Sequence, residues 1–85
     1  MDTPVTVYTT PHCPSCHAVK TYLTQKGIAF TEKDVTQSEA ALQEMKGISG
    51  VRIAPVTQIG DEAFYGDFPV QRPHIDQALK KLGLL

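Results

Sequence analysis

A chain of 85 residues, 41% hydrophobic and 20% charged, fits one globular domain over residues 1–85 and excludes a disordered polymer. Its formal net charge of -1 gives no electrostatic basis for binding nucleic acid or an anionic membrane, and no apolar run approaches the ~20 residues of a membrane helix. Met1-Asp2-Thr3-Pro4 lacks the basic and apolar segments of a signal peptide, so a cytoplasmic location is expected.

Val5-Thr6-Val7-Tyr8-Thr9 is β-branched and aromatic and reads as a strand. Pro11, Cys13 and Pro14 follow in a short turn. From Ser15 to about Lys26 the period is helical, with Val19, Tyr22 and Leu23 on one face and Gly27 placed to end it. Ile28 to Val35 reads as a second strand. Thr36 and Glu39 fit a capping box, which predicts a helix from there to about Lys46 that buries Ala41, Leu42 and Met45 and is broken by Gly47 and Gly50. Pro55 to Ile59 and Glu62 to Tyr65 read as strands joined by a Gly60-Asp61 hairpin turn. A last helix is expected to start near Pro73, bury Ile75, Ala78, Leu79 and Leu82, and stop at Gly83. The order is β-α-β-α-β-β-α. Two strands joined through a helix are parallel, and the last two form an antiparallel hairpin. An α/β fold follows: a mixed four-stranded sheet with helices on both faces.

Only two cysteines are present, Cys13 and Cys16. They sit where the first strand ends and the first helix begins. Free amides and the helix dipole at that point favour a negative charge, so a cysteine there has a lowered pKa and more thiolate at neutral pH. Cys13, at the very start, is expected to be the exposed nucleophile. Cys16, inside the first turn, is expected to be less exposed and to resolve a mixed disulfide. Pro14 suits the first helical turn and stiffens the ring. An inert structural bridge is the plain alternative. An intramolecular zinc site would need two further ligands, and His12 and His17 lie too close to the pair to complete a tetrahedron easily. Cys13-Pro14-Ser15-Cys16-His17 is also a c-type haem attachment sequence, against which stand the strand-rich flanks and the lack of an export signal. His12 and His74 read most simply as solvated polar residues.

Across almost its whole length the chain resembles the glutaredoxin branch of the thioredoxin fold. It is most similar to the small redoxins that donate electrons to ribonucleotide reductase. The resemblance is carried by Val7-Tyr8-Thr9 leading into Cys13–Lys20, by Gly50-Val51-Arg52-Ile53-Ala54-Pro55-Val56, and by Gly60-Asp61 and Gly66. It implies dithiol exchange with protein disulfides through Cys13 and Cys16, in a monomer with no organic cofactor. It also implies a cis Ala54–Pro55 bond beside the cysteines, where Ala54 and Pro55 dock a partner's backbone in strand-like pairing.

The chain departs from glutathione-using members of that family. Thr10-Pro11-His12 precedes Cys13 where a lysine is usual, Ser15 stands where an aromatic is usual before the second cysteine, and Phe68 occupies a position usually acidic. Glutathione carries two carboxylates and an ammonium group and needs charged partners. The expected reductant is therefore a thioredoxin-reductase-type enzyme, with glutathione as the rival and Arg52 and Arg72 as its remaining carboxylate partners. His12, Pro14 and Phe68 are expected to touch the partner. A metal- or cluster-binding module, formed as a dimer through the cysteines, is the non-catalytic alternative.

Overall fold

The computed structural model describes residues 5–52 and 54–84. The elements run β1 (Val5–Thr9), α1 (Pro14–Gln25), β2 (Thr31–Asp34), α2 (Glu39–Ser49), β3 (Val56–Ile59), β4 (Glu62–Tyr65) and α3 (Phe68–Lys81). This is the expected order. The sheet is arranged β2-β1-β3-β4. β1 pairs with β2 in parallel and with β3 antiparallel, and β3 and β4 form the hairpin.

Alternation along β1 explains the layers. Val5 and Val7 point to one face, where they meet Val19, Leu23, Ile75 and Leu79 from α1 and α3. Tyr8 points to the other, where it meets Ala41 and Met45 from α2. Successive strand side chains face opposite ways, so one apolar strand builds both cores. Burying each large aliphatic side chain contributes roughly 1.5–3 kcal/mol.

Several boundaries differ from the sequence expectation. The second strand begins only at Thr31; Ile28 and Val35, the apolar ends of the expected strand, are buried just outside it. The cap of α2 is Ser38, whose hydroxyl accepts from the Ala41 amide, and Thr36 is instead held by Asp34 through both its amide and its hydroxyl. Gly47 lies inside α2, and the helix ends at Gly50 in the left-handed region (φ 75°). In α2, Leu42 is half-buried rather than buried. The last helix starts five residues early, at Phe68, with Asp67 as its cap residue and Pro69 in its first turn. Pro73 lies within it. Proline lacks the amide that would reach the carbonyl of residue 69, but Pro69 and Pro73 are both exposed, so water can satisfy that carbonyl. Leu82, expected in the core, caps the end of α3 and is exposed.

Candidate active site

α1 begins with Pro14 at its first position because proline has no amide to leave unpaired there. The residue before it, Cys13, is extended and caps the helix. Its Sγ accepts from the Cys16 amide at 3.1 Å, and its carbonyl accepts from the His17 amide at 3.1 Å. A sulfur stands where a serine or aspartate oxygen usually caps a helix. Cys13 and Cys16 form a disulfide with their Cα atoms 5.2 Å apart. The two ends of that bond are unequal: Cys16 is 2% exposed, whereas Cys13 is half-exposed. The Cys13 end of the bond is thus the more accessible from outside.

Around Cys13 opens a cleft of about 520 Å³. His12 lines it with φ at 59°, the only non-glycine residue among those described with a positive φ. Pro14 and His17 are exposed on its rim. On the β2 side the wall is charged. Lys20 Nζ lies 2.9 Å from Glu32 Oε2, and the Thr9 hydroxyl donates to the same oxygen at 3.0 Å. The Lys20 ammonium, with help from Thr9, holds the Glu32 carboxyl below the usual carboxylate range. Hydrogen bonds from the Thr36 hydroxyl and amide lower Asp34 likewise.

The Ala54–Pro55 bond is cis, as the resemblance implied. The register pairs Tyr8 with Val56, so Pro55 enters the sheet at the end of β1 that leads to Cys13. Pro55 is buried and Ala54 half-buried. Phe68 does not line the cleft around the disulfide. It is half-buried at the head of α3, with its ring 5.4 Å from that of Tyr22.

Side-chain contacts that the sequence reading did not foresee join this region. The Ser15 hydroxyl, between the cysteines, reaches Asp67 Oδ1 at 3.4 Å, tying α1 to the start of α3. Asp67 followed by a proline two residues on is itself a helix-start signal. Lys20 and Glu32 meet because α1 packs on β1, beside which β2 pairs. Gln71, fully buried, donates to the Pro55 carbonyl at 2.9 Å and the Gly66 carbonyl at 2.8 Å, and accepts from the Thr57 hydroxyl at 2.7 Å. Its signal was a polar residue four positions before Ile75, in line with the apolar stripe of α3.

A half-buried cysteine at a helix start, joined to a buried one three residues on, is the arrangement of a thiol–disulfide oxidoreductase. Residues 5–64 match the glutaredoxin family, and the chain belongs to it. It is 33% identical over 76 residues to the N-acetyl-S-hydroxy-L-cysteine reductase of Bacillus subtilis, a match spanning 88% of this chain and 82% of that one. It is 30% identical over 77 residues to an uncharacterized glutaredoxin-like 8.6 kDa protein in the rubredoxin operon of Clostridium pasteurianum, spanning 91% and 99%. The crystal structure of the thioredoxin-like protein BC3987 superposes with a TM-score of 0.79 at 31% identity, covering 88% of this chain and 99% of that one. No helix among the described residues is long and apolar enough to cross a membrane.

Proposed function

We propose that this protein reduces disulfides of other proteins, with Cys13 as the attacking thiol and Cys16 as the resolving thiol. The observation that carries this reading is the inequality of the pair. Cys13 is half-exposed, caps α1 and receives the Cys16 amide, whereas Cys16 is 2% exposed. In the reduced protein the same amide and the helix dipole favour a Cys13 thiolate. That thiolate attacks a substrate disulfide, one substrate sulfur leaves as a thiol, and a mixed disulfide to Cys13 remains. Cys16 loses its proton and attacks Cys13, the second substrate thiol leaves, and the Cys13–Cys16 disulfide forms. Two electrons pass to the substrate, and a reductant must return them.

The reductant in this reading is a thioredoxin-reductase-type flavoenzyme. The absence of a lysine before Cys13, and Phe68 in place of an acid, support it. Ribonucleotide reductase is a client to test, on the strength of the partial likeness to its redoxins. A second reading is kept by two observations. Asp67 lies against Ser15 and offers a carboxylate to an ammonium group, as glutathione would need. The Bacillus subtilis relative is named for reducing a small S-hydroxylated cysteine, so a low-molecular-weight sulfur substrate belongs in the same assay.

Insulin-disulfide reduction tests the assignment. Cys13→Ser abolishes it, and Cys16→Ser accumulates mixed disulfides. Mixed disulfides from Cys13→Ser and none from Cys16→Ser would reverse the roles. Turnover with NADPH, glutathione and glutathione reductase, and none with thioredoxin reductase, overturns the proposed reductant.

A further inference from the structure

α1 and α3 lie side by side on one face of the sheet, and a second groove of about 490 Å³ runs between them. Its floor is the Tyr22 ring with Phe68 against it. Two cations sit over that one ring: the Arg72 guanidinium 5.3 Å from its centroid and the Lys26 ammonium 5.6 Å away. No aspartate or glutamate lines the groove. The carboxylate of Asp76, on α3, is taken by the Tyr22 hydroxyl. The ion pairs among the described residues use Lys20, Lys33 and Lys81; Lys26 takes part in none of them, and Arg72 shares the Tyr22 hydroxyl with Asp76. The whole chain carries only -1. The groove thus carries two cations and no lining carboxylate on a nearly neutral protein, and that charge favours an anion.

The groove also connects to the redox centre. His17 lines both it and the cleft around Cys13. From Cys13 at the helix start to Tyr22 on the groove floor is nine residues, about 14 Å. An extended chain covers that in about four residues.

We propose that this groove binds an acidic, extended segment of the substrate protein, its carboxylates lying about three to five residues from the cysteine that Cys13 attacks. The two cations suit a carboxylate side chain, and the Tyr22 and Phe68 rings beneath them give the groove an apolar floor. This rests on the reading of the protein as a disulfide reductase, and it names the substrate class that reading leaves open.

The test uses the full chain, reduced beforehand with dithiothreitol and freed of it, in single-turnover reactions that need no enzymatic reductant. Two disulfide-bridged peptides are compared, one with glutamates three to five residues from a cysteine and one with glutamines there. The glutamate peptide is reduced at least fivefold faster at low salt, and 0.5 M NaCl removes most of that advantage, on the order of what screening to a Debye length of ~4 Å implies. Lys26→Gln/Arg72→Gln abolishes the advantage, whereas Lys80→Gln, elsewhere on α3, leaves it intact. The salt dependence of the unaltered protein carries the test should the double variant not fold. Equal rates for the two peptides, or an advantage indifferent to salt, overturn the groove. Failure to reduce either peptide overturns the disulfide-reductase reading instead.

Discussion

Replacing Gln71 with leucine keeps much of the side-chain volume and removes three hydrogen bonds at once. Two of these lie fully inside the protein: the Thr57 hydroxyl at 2.7 Å and the Pro55 carbonyl at 2.9 Å. The third, to the Gly66 carbonyl, is part-buried, so water can replace it. A buried polar group left without a partner costs about 1–3 kcal/mol. Two such groups give a loss of roughly 2–6 kcal/mol, against a total stability of roughly 4–13 kcal/mol for a domain of this size. Urea unfolding followed by far-UV circular dichroism measures it directly. The double variant Thr57→Val/Gln71→Leu removes one orphaned group and is no less stable than Gln71→Leu alone, because the two side chains share a bond. A loss under about 1 kcal/mol, or strict additivity of the two substitutions, would refute the idea that Gln71 is a shared anchor. Since Gln71 also holds the Pro55 carbonyl, the variant reduces protein disulfides more slowly even under conditions where it is folded.

Two further outcomes follow from the backbone and the tyrosines. His12 occupies the left-handed region, which costs an L-residue roughly 1–2 kcal/mol and a β-branched one more; His12→Val is therefore less stable to urea than His12→Gly by about 1–2 kcal/mol, and equal midpoints would remove the strain argument. Burial, and secondarily the Glu44 carboxylate that accepts the Tyr8 hydroxyl at 2.6 Å, raise the Tyr8 pKa above its ordinary value. The folded protein then holds a proton the unfolded chain releases, so this contribution is fully present below the unfolded pKa of about 10 and is lost as pH rises past it. The urea midpoint falls above about pH 10, less steeply in Tyr8→Phe; an unchanged slope in that variant would count against the linkage.

The element order was legible because period separates helix from strand along most of this chain. Val19, Tyr22 and Leu23 recur on a helical face, and Val5 to Thr9 could hardly be anything but strand. Boundaries were harder where two residues compete for one role. Thr36 and Ser38 are both able to cap α2, and the choice falls to Ser38 because the Asp34 carboxylate already holds Thr36. Pro69 and Pro73 both suit a first turn, and the earlier one is favoured by Asp67 at the cap and by the packing of Phe68 on Tyr22. The cysteines announced the site by position alone. The cis bond at Pro55 was accessible through family likeness, not through any local propensity. Gln71 was invisible in its role because two of its partners are backbone carbonyls, which every sequence has; topology decides which ones arrive beside it.

Cys13 is both the cap of α1 and one half of the redox couple. A single sulfur atom therefore carries a helix-terminus interaction whose strength changes with its electron count. In a closed cycle, the difference in unfolding free energy between oxidised and reduced protein equals the difference in reduction free energy between unfolded and folded chain. For a two-electron couple, about 1.4 kcal/mol of that difference moves the potential by about 30 mV. Stability and electron affinity in this domain are one quantity measured from two sides. Any substitution that alters the first turn of α1 differently in its two states, even one remote from either sulfur, retunes the protein as an electron carrier.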